Sequence, residues 1–168
     1  MNYHNITKDD MLNGSGLRVC LWLSGCNHHC KGCQNPETWS LKSGIDFNME
    51  AEEELFEILG QDYISGITFT GGDPFHEANL SEVNRLVTKV RTNYGKKKNI
   101  WIYTGYRYED VLDDHDKIEI LKKIDVLVDD KFVMKLADVS YPYAGSINQR
   151  VIDVPKSLEK GDVVLWKL

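Results

Sequence analysis

Residues 18–33 read RVCLWLSGCNHHCKGC, an apolar run followed at once by three clustered cysteines. The run from Arg18 to Leu23 is rich in β-branched and aromatic residues and stops at Ser24-Gly25, which predicts a strand. The loop behind it carries Cys26, Cys30 and Cys33 in a C-x3-C-x2-C spacing. Three thiolates leave one metal of a four-iron cluster without a protein ligand, and an open iron is where a substrate can coordinate. The same logic separates catalytic zinc sites, which keep an open position, from structural ones.

A structural zinc knuckle is the competing use of these residues, with Cys20, Cys26, Cys30 and Cys33 as ligands or with His28 or His29 joining. Zinc sites usually pair C-x2-C with a second ligand pair at a distance, and no such pair is present. Cys20 lies within the strand, out of phase with Val19, Leu21 and Leu23, and reads as a buried thiol. His28 and His29 read as loop residues. The cysteine usage favours metal or catalytic chemistry in a reducing compartment over disulfides.

Outward from this stretch, helices and strands alternate. Asn48 reads as an N-cap, with Glu50, Glu52, Glu53 and Glu54 at the positive end of a helix whose stripe is Leu55, Ile58 and Leu59. Gly66–Thr70 predicts a second strand running into Gly71-Gly72-Asp73-Pro74. Leu80, Val83, Leu86, Val87 and Val90 then follow the helical period. Asn99–Thr104 is a third strand, weaker helical signals cover 108–112 and 117–124, and Asp125–Val128 and Arg150–Val154 are further strands. Strands separated by helical stretches predict parallel pairing through crossovers. A complete eight-fold barrel needs about 250 residues, so 168 residues predict an α/β fold in the form of a partial, laterally open (β/α) barrel with about five to six parallel strands. An open doubly wound sheet is the alternative. Ligands in either architecture bind at the carboxyl ends of the strands, where the cysteine loop and the Gly-Gly-Asp-Pro turn both fall.

The length suits a single domain over residues 1–168. A net charge of -6 offers no basic surplus to offset phosphates, which argues against nonspecific nucleic-acid binding. Lys96-Lys97-Lys98 reads as a solvated loop. The N-terminal residues carry no secretory pattern and the apolar runs are too short to span a bilayer, so the expected address is cytoplasmic, with no membrane partner.

The cysteine spacing after a first strand, with a Gly-Gly-acid-Pro turn after a second, resembles the radical S-adenosylmethionine superfamily. Within it, Gly14-Ser15-Gly16, Cys30-Lys31-Gly32-Cys33-Gln34-Asn35, Gly71-Gly72-Asp73-Pro74, Trp101-Ile102-Tyr103-Thr104-Gly105-Tyr106, Val128-Asp129-Asp130-Lys131-Phe132 and Gly145-Ser146-Ile147-Asn148-Gln149-Arg150 resemble the anaerobic ribonucleoside-triphosphate reductase activating proteins. The resemblance implies that Cys26, Cys30 and Cys33 hold a [4Fe-4S] cluster whose open iron takes S-adenosylmethionine. Reductive cleavage then gives methionine and a 5′-deoxyadenosyl radical, which removes a hydrogen atom from a glycine of the partner reductase. It further implies an electron from a low-potential donor such as reduced flavodoxin. The cosubstrate would meet the segment Gly32, Cys33 and Gln34 and the turn Gly71, Gly72 and Asp73, where the glycines let the backbone approach the ligand. Tyr103, Thr104 and Asp129 sit at strand ends and are candidate pocket residues. Asn148 and Arg150 are candidates for ribose or carboxylate contact, Arg150 being equally suited to a structural ion pair. One departure from the superfamily pattern is Gly32 where many members have an aromatic, which leaves Trp22 and Trp39 as stacking candidates for adenine, or as ordinary packing residues. The rival functions are activation of another glycyl-radical enzyme, radical chemistry on a small metabolite, and a zinc-stabilised binding module without catalysis.

Overall fold

A computed structural model describes residues 1–167. Its chain order is β1 (Asn2–Asp10), β2 (Arg18–Leu23), β3 (Ile45–Asp46), α1 (Met49–Leu59), β4 (Gly66–Gly71), α2 (Glu77–Tyr94), β5 (Asn99–Tyr103), α3 (Tyr108–Leu112), α4 (His115–Leu121), β6 (Val126–Asp129), β7 (Arg150–Asp153) and α5 (Val154–Lys160). The strands form one mixed sheet in the order β3-β1-β2-β4-β5-β6-β7, and the sheet does not close.

The local chemistry of the elements is simple. Asn48 Oδ1 accepts the Ala51 amide at 3.0 Å and caps α1, whose Leu55, Ile58 and Leu59 are buried. In α2 the buried stripe is Val83, Leu86, Val87 and Val90, and Gly95 ends the helix at φ 55°.

Four strands, β2, β4, β5 and β6, run parallel to one another. This corrects the expected five to six. The last strand, β7, pairs antiparallel with β6 because the link between them, residues 130–149, contains only a 3-10 turn at Met134–Leu136. Without a helix to carry the chain across the sheet, it returns alongside the strand it left. The expected strands at 99–104, 125–128 and 150–154 are otherwise present with ends moved by a residue or so.

A strand not anticipated, β1, pairs antiparallel with β2. Its inward residues Tyr3 and Ile6 are three apart because the register shifts between Tyr3 and Asn5, which destroys the alternation that marks a strand in sequence.

All five helices pack on one face. Their buried side chains join Val19, Leu21, Leu23, Ile67, Phe69, Ile100, Ile102, Leu127 and Ile152 in a single apolar cluster. A doubly wound sheet carries helices on both faces, and this one does not. The alternate residues of the same strands, among them Arg18, Cys20, Trp22, Thr68, Thr70, Trp101 and Tyr103, form the other face. No helix among the described residues is long and apolar enough to cross a membrane.

Candidate functional site

The cysteine loop leaves β2 through Gly25 and is stitched to the turn at Pro36–Thr38: the Gly25 amide donates to Thr38 O at 2.7 Å and the Cys26 amide to Trp39 O at 3.0 Å. Inside it, the Cys33 amide donates to Cys30 O at 3.0 Å, and the Asn35 amide reaches Cys33 Sγ at 3.4 Å. His29 takes a left-handed φ of 46° and lays its ring against Trp39 at 4.7 Å. Cys26, Cys30 and Cys33 are free and half-buried, and all three line one cavity of about 740 Å³. Burial pushes the Cys26 thiol up to about 11 and raises that of Cys30, so a cation must displace protons to bind them. Cys20 lies outside the cavity lining, fully buried on β2, with its thiol pushed up to about 12 by desolvation.

The Gly71–Gly72–Asp73–Pro74 turn packs directly on that loop. The Gly72 amide donates to Leu23 O and the Asp73 amide to Gly25 O, both at 2.7 Å. Gly71 sits at φ 91°, and a Cβ on Gly72 would stand 2.7 Å from Gly25 O. Both glycines are therefore required by the fit of turn to loop, and both also line the cavity. Asp73 is nearly buried and its carboxylate is fully occupied. Oδ1 accepts the Phe75 amide at 2.8 Å and the Thr104 hydroxyl at 2.9 Å; Oδ2 accepts the Gly105 amide at 3.0 Å and meets His28 Nε2 at 2.6 Å.

Gln34 and Tyr103 also line the cavity, as does Trp22. The Tyr103 hydroxyl donates to Tyr143 O at 2.7 Å, and burial raises its pKa. Gly32, Asp129 and Arg150 are not brought into the lining. A Cβ on Gly32 would meet Met134 Sδ at 2.8 Å. Asp129 is completely buried and accepts the Tyr108 amide at 2.8 Å; Arg150 Nη2 donates to it at 2.5 Å and to Glu109 at 2.8 Å. That arrangement is a partly exposed ion-pair network, anchored on the buried Asp129, that joins β6, β7 and α3. Asn148 donates to Lys131 O at 2.9 Å instead of facing the cavity, and Trp39 packs on His29.

The structure adds residues that sequence reasoning did not assign. The long link after β6 supplies Phe132, Tyr141, Pro142 and Tyr143, and the β1–β2 connection supplies Met11 and Leu12. Asp130 at φ 74° and Tyr143 at φ 58° hold left-handed backbone in that link, a conformation no local motif announces.

The same face of the sheet holds Arg18, at the start of β2. It is fully buried and donates through Nε to Thr68 Oγ1 at 2.8 Å, through Nη1 to Ser15 O at 2.7 Å and through Nη2 to Ile67 O at 3.0 Å. Desolvation lowers its pKa to about 10.

Three thiols lining one roomy cavity suit an iron–sulfur cluster with an open iron. Comparison with known proteins agrees on the cluster: the family described as "4Fe-4S single cluster domain" matches residues 12–152. Proteins named anaerobic ribonucleoside-triphosphate reductase-activating protein are similar over most of their length. That of Vibrio cholerae is 45% identical over 151 residues, covering 89% of this chain and 96% of the relative. The enterobacteria phage T4 protein is 40% identical, covering 90% and 93%, and the Escherichia coli K12 protein is 39% identical, covering 90% and 97%. With three thiols lining one cavity, a cluster-domain match across most of its length and relatives at this identity, the chain belongs to the family of anaerobic ribonucleoside-triphosphate reductase-activating proteins.

Proposed function

We propose that this chain is a radical S-adenosylmethionine enzyme that installs a glycyl radical on an anaerobic ribonucleoside-triphosphate reductase. One observation carries this reading: Cys26, Cys30 and Cys33 share a cavity with the Gly71–Gly72 turn, at the carboxyl ends of parallel strands. Cys26, Cys30 and Cys33 would hold a [4Fe-4S] cluster with one iron left for the cosubstrate. When bound, the cluster supplies one electron to the sulfonium of S-adenosylmethionine, whose cleavage gives methionine and a 5′-deoxyadenosyl radical. A glycine Cα–H of the partner gives up its hydrogen atom to that radical, yielding 5′-deoxyadenosine and the glycyl radical.

The chain's own residues bind, orient and exclude. Gly71 and Gly72 keep their part of the wall bare, so the backbone itself meets the amino-acid end of the cosubstrate. Cys33 and Gln34 offer backbone groups to the adenine, with Trp22 and Tyr103 as flanking rings. Asp73 serves by holding the turn rather than by touching the ligand, since its oxygens are already engaged. The sheet reads as part of a laterally open barrel, and the exposed Met11, Leu12 and Val139 at the cavity rim form the side a partner segment crosses. The electron comes from a low-potential donor such as reduced flavodoxin, in the cytoplasm. The partner's identity rests on the relatives' names.

The test is electron paramagnetic resonance on an anaerobic mixture of cluster-loaded protein, S-adenosylmethionine, a strong reductant and the reductase. A doublet that collapses when the partner's glycine is deuterated at Cα is the expected result. Cleavage of S-adenosylmethionine without a partner radical would redirect the reading to another glycyl-radical enzyme or a metabolite. A zinc-bound module is the second reading, favoured by one feature: ligand atoms of Cys26, His28 and Asp73 lie within 4.8 Å of one another. Iron and sulfide analysis of anaerobically purified protein decides between them.

A further inference from the structure

We propose that His28 is a positioning residue whose imidazole pins the cysteine loop to the Gly71–Pro74 turn and so sets where the Cys26 sulfur stands in the cavity. This rests on the function proposed above and deepens it. His28 lies two residues after Cys26 and two before Cys30.

The anchor is Asp73. His28 Nε2 lies 2.6 Å from Asp73 Oδ2, with the two side chains only 9% and 2% exposed. Two such atoms approach this closely only with a proton between them. The same carboxylate accepts amides from Phe75, just before α2, and Gly105, just after β5, together with the Thr104 hydroxyl. One carboxylate thus joins the ends of β4 and β5 to the cysteine loop. A hydrogen bond to an ionised partner is roughly twice as strong as a neutral one.

The surroundings are shaped for this ring. A Cβ on Gly105 would fall 2.4 to 2.7 Å from the imidazole atoms, so only glycine leaves room at that position. Tyr106 closes the other side edge-on, at 4.7 Å and 76°, and Lys117 Nζ lies 4.4 Å above the Tyr106 ring. Nε2 is committed to Asp73, and the residue sits between two of the three loop thiols.

The experiment compares wild type, His28→Ala and His28→Gln in two states. In metal-free protein, amide exchange across residues 26–31 is expected to be about ten-fold faster in His28→Ala, with His28→Gln restoring most of the protection through its own donor. After anaerobic reconstitution, iron content should match wild type in both variants. The loaded His28→Ala should bind S-adenosylmethionine about ten-fold more weakly and show a changed paramagnetic spectrum on its addition. Wild-type exchange in metal-free His28→Ala would overturn the proposal, and loss of iron to the level of Cys26→Ser would make His28 a ligand instead. If loaded wild-type protein binds no S-adenosylmethionine, the function proposed above fails, and the metal-free exchange measurement still decides the role of His28.

Discussion

The two faces of the sheet draw on alternate residues of the same strands and are filled in opposite ways. Val19, Leu21, Ile67, Phe69, Ile100 and Ile102 meet the helices in one continuous apolar cluster. Of their immediate neighbours, Thr70 and Tyr103 line the cavity, and Arg18 donates to the Thr68 hydroxyl on the same face. Period-two geometry allows this division, because neither set touches the other's environment. The helix face carries the larger apolar cluster, while the other holds the cavity beside a smaller cluster of Trp101, Val126, Val128 and Val151, so substitutions at the helix-facing core and at the cysteine loop should separate in what they damage.

The largest contrast is between Phe69→Ala and Cys33→Ser. Phe69 is fully buried against the helices, and truncation should cost about 3–5 kcal/mol in urea unfolding. Cys33→Ser should change metal-free stability by less than about 0.5 kcal/mol while abolishing iron uptake. Iron uptake by Cys33→Ser at the wild-type level would break the division. A second, smaller test lies at the seam. Gly72→Ala places a methyl 2.7 Å from Gly25 O, which is backbone and cannot swing aside. It should cost about 1–3 kcal/mol and lower iron incorporation together, because the clash pushes on the cysteine loop itself. Loss of cosubstrate affinity with stability and iron both intact would show that the loop tolerates the push.

The smallest effect belongs to the outer, solvent side of the helices. Glu52 accepts from Arg85 and Lys89, and these hydrogen bonds, Arg85's first, lower its pKa to about 2. A carboxylate depressed in this way adds stability above its ordinary value near 4.5 and loses it as pH falls toward 2. Glu52→Gln should flatten acid unfolding across that window and leave iron content unchanged. An unaltered acid profile would mean that this ion cluster contributes nothing measurable.

The helix-covered face was legible in sequence because burial on one side writes a period: Leu55, Ile58 and Leu59 at 3.6 and Val19, Leu21 and Leu23 at 2. The three cysteines were legible because their spacing lies within one loop. What escaped depends on distant parts of the chain meeting. Strand β1 hid behind a register shift that removed its alternation. The antiparallel return of β7 depends on a long irregular link with no helical pattern to reveal its path. Arg150 and Asp129 stood at strand ends as plausible pocket residues, and only the pairing of β6 with β7 shows them spending their charge on each other and on Glu109. Asp73 carried the opposite ambiguity: its motif suggested ligand contact and it does line the cavity, while neighbours from residues 28, 75, 104 and 105 engage its oxygens.

A sheet that does not close has two edges, and unpaired edges are templates on which other chains add strands. Here β3 is only two residues long. At the far edge, the Asp153 amide donates to Val164 O and the Trp166 amide to Val151 O, both at 2.8 Å, so the chain's own C-terminal segment occupies the outer side of β7. Strand addition is thereby blocked at the β7 edge, whereas on the other side β3 pairs with only Asn2 and Tyr3 and leaves the rest of β1 as the edge open to a partner strand.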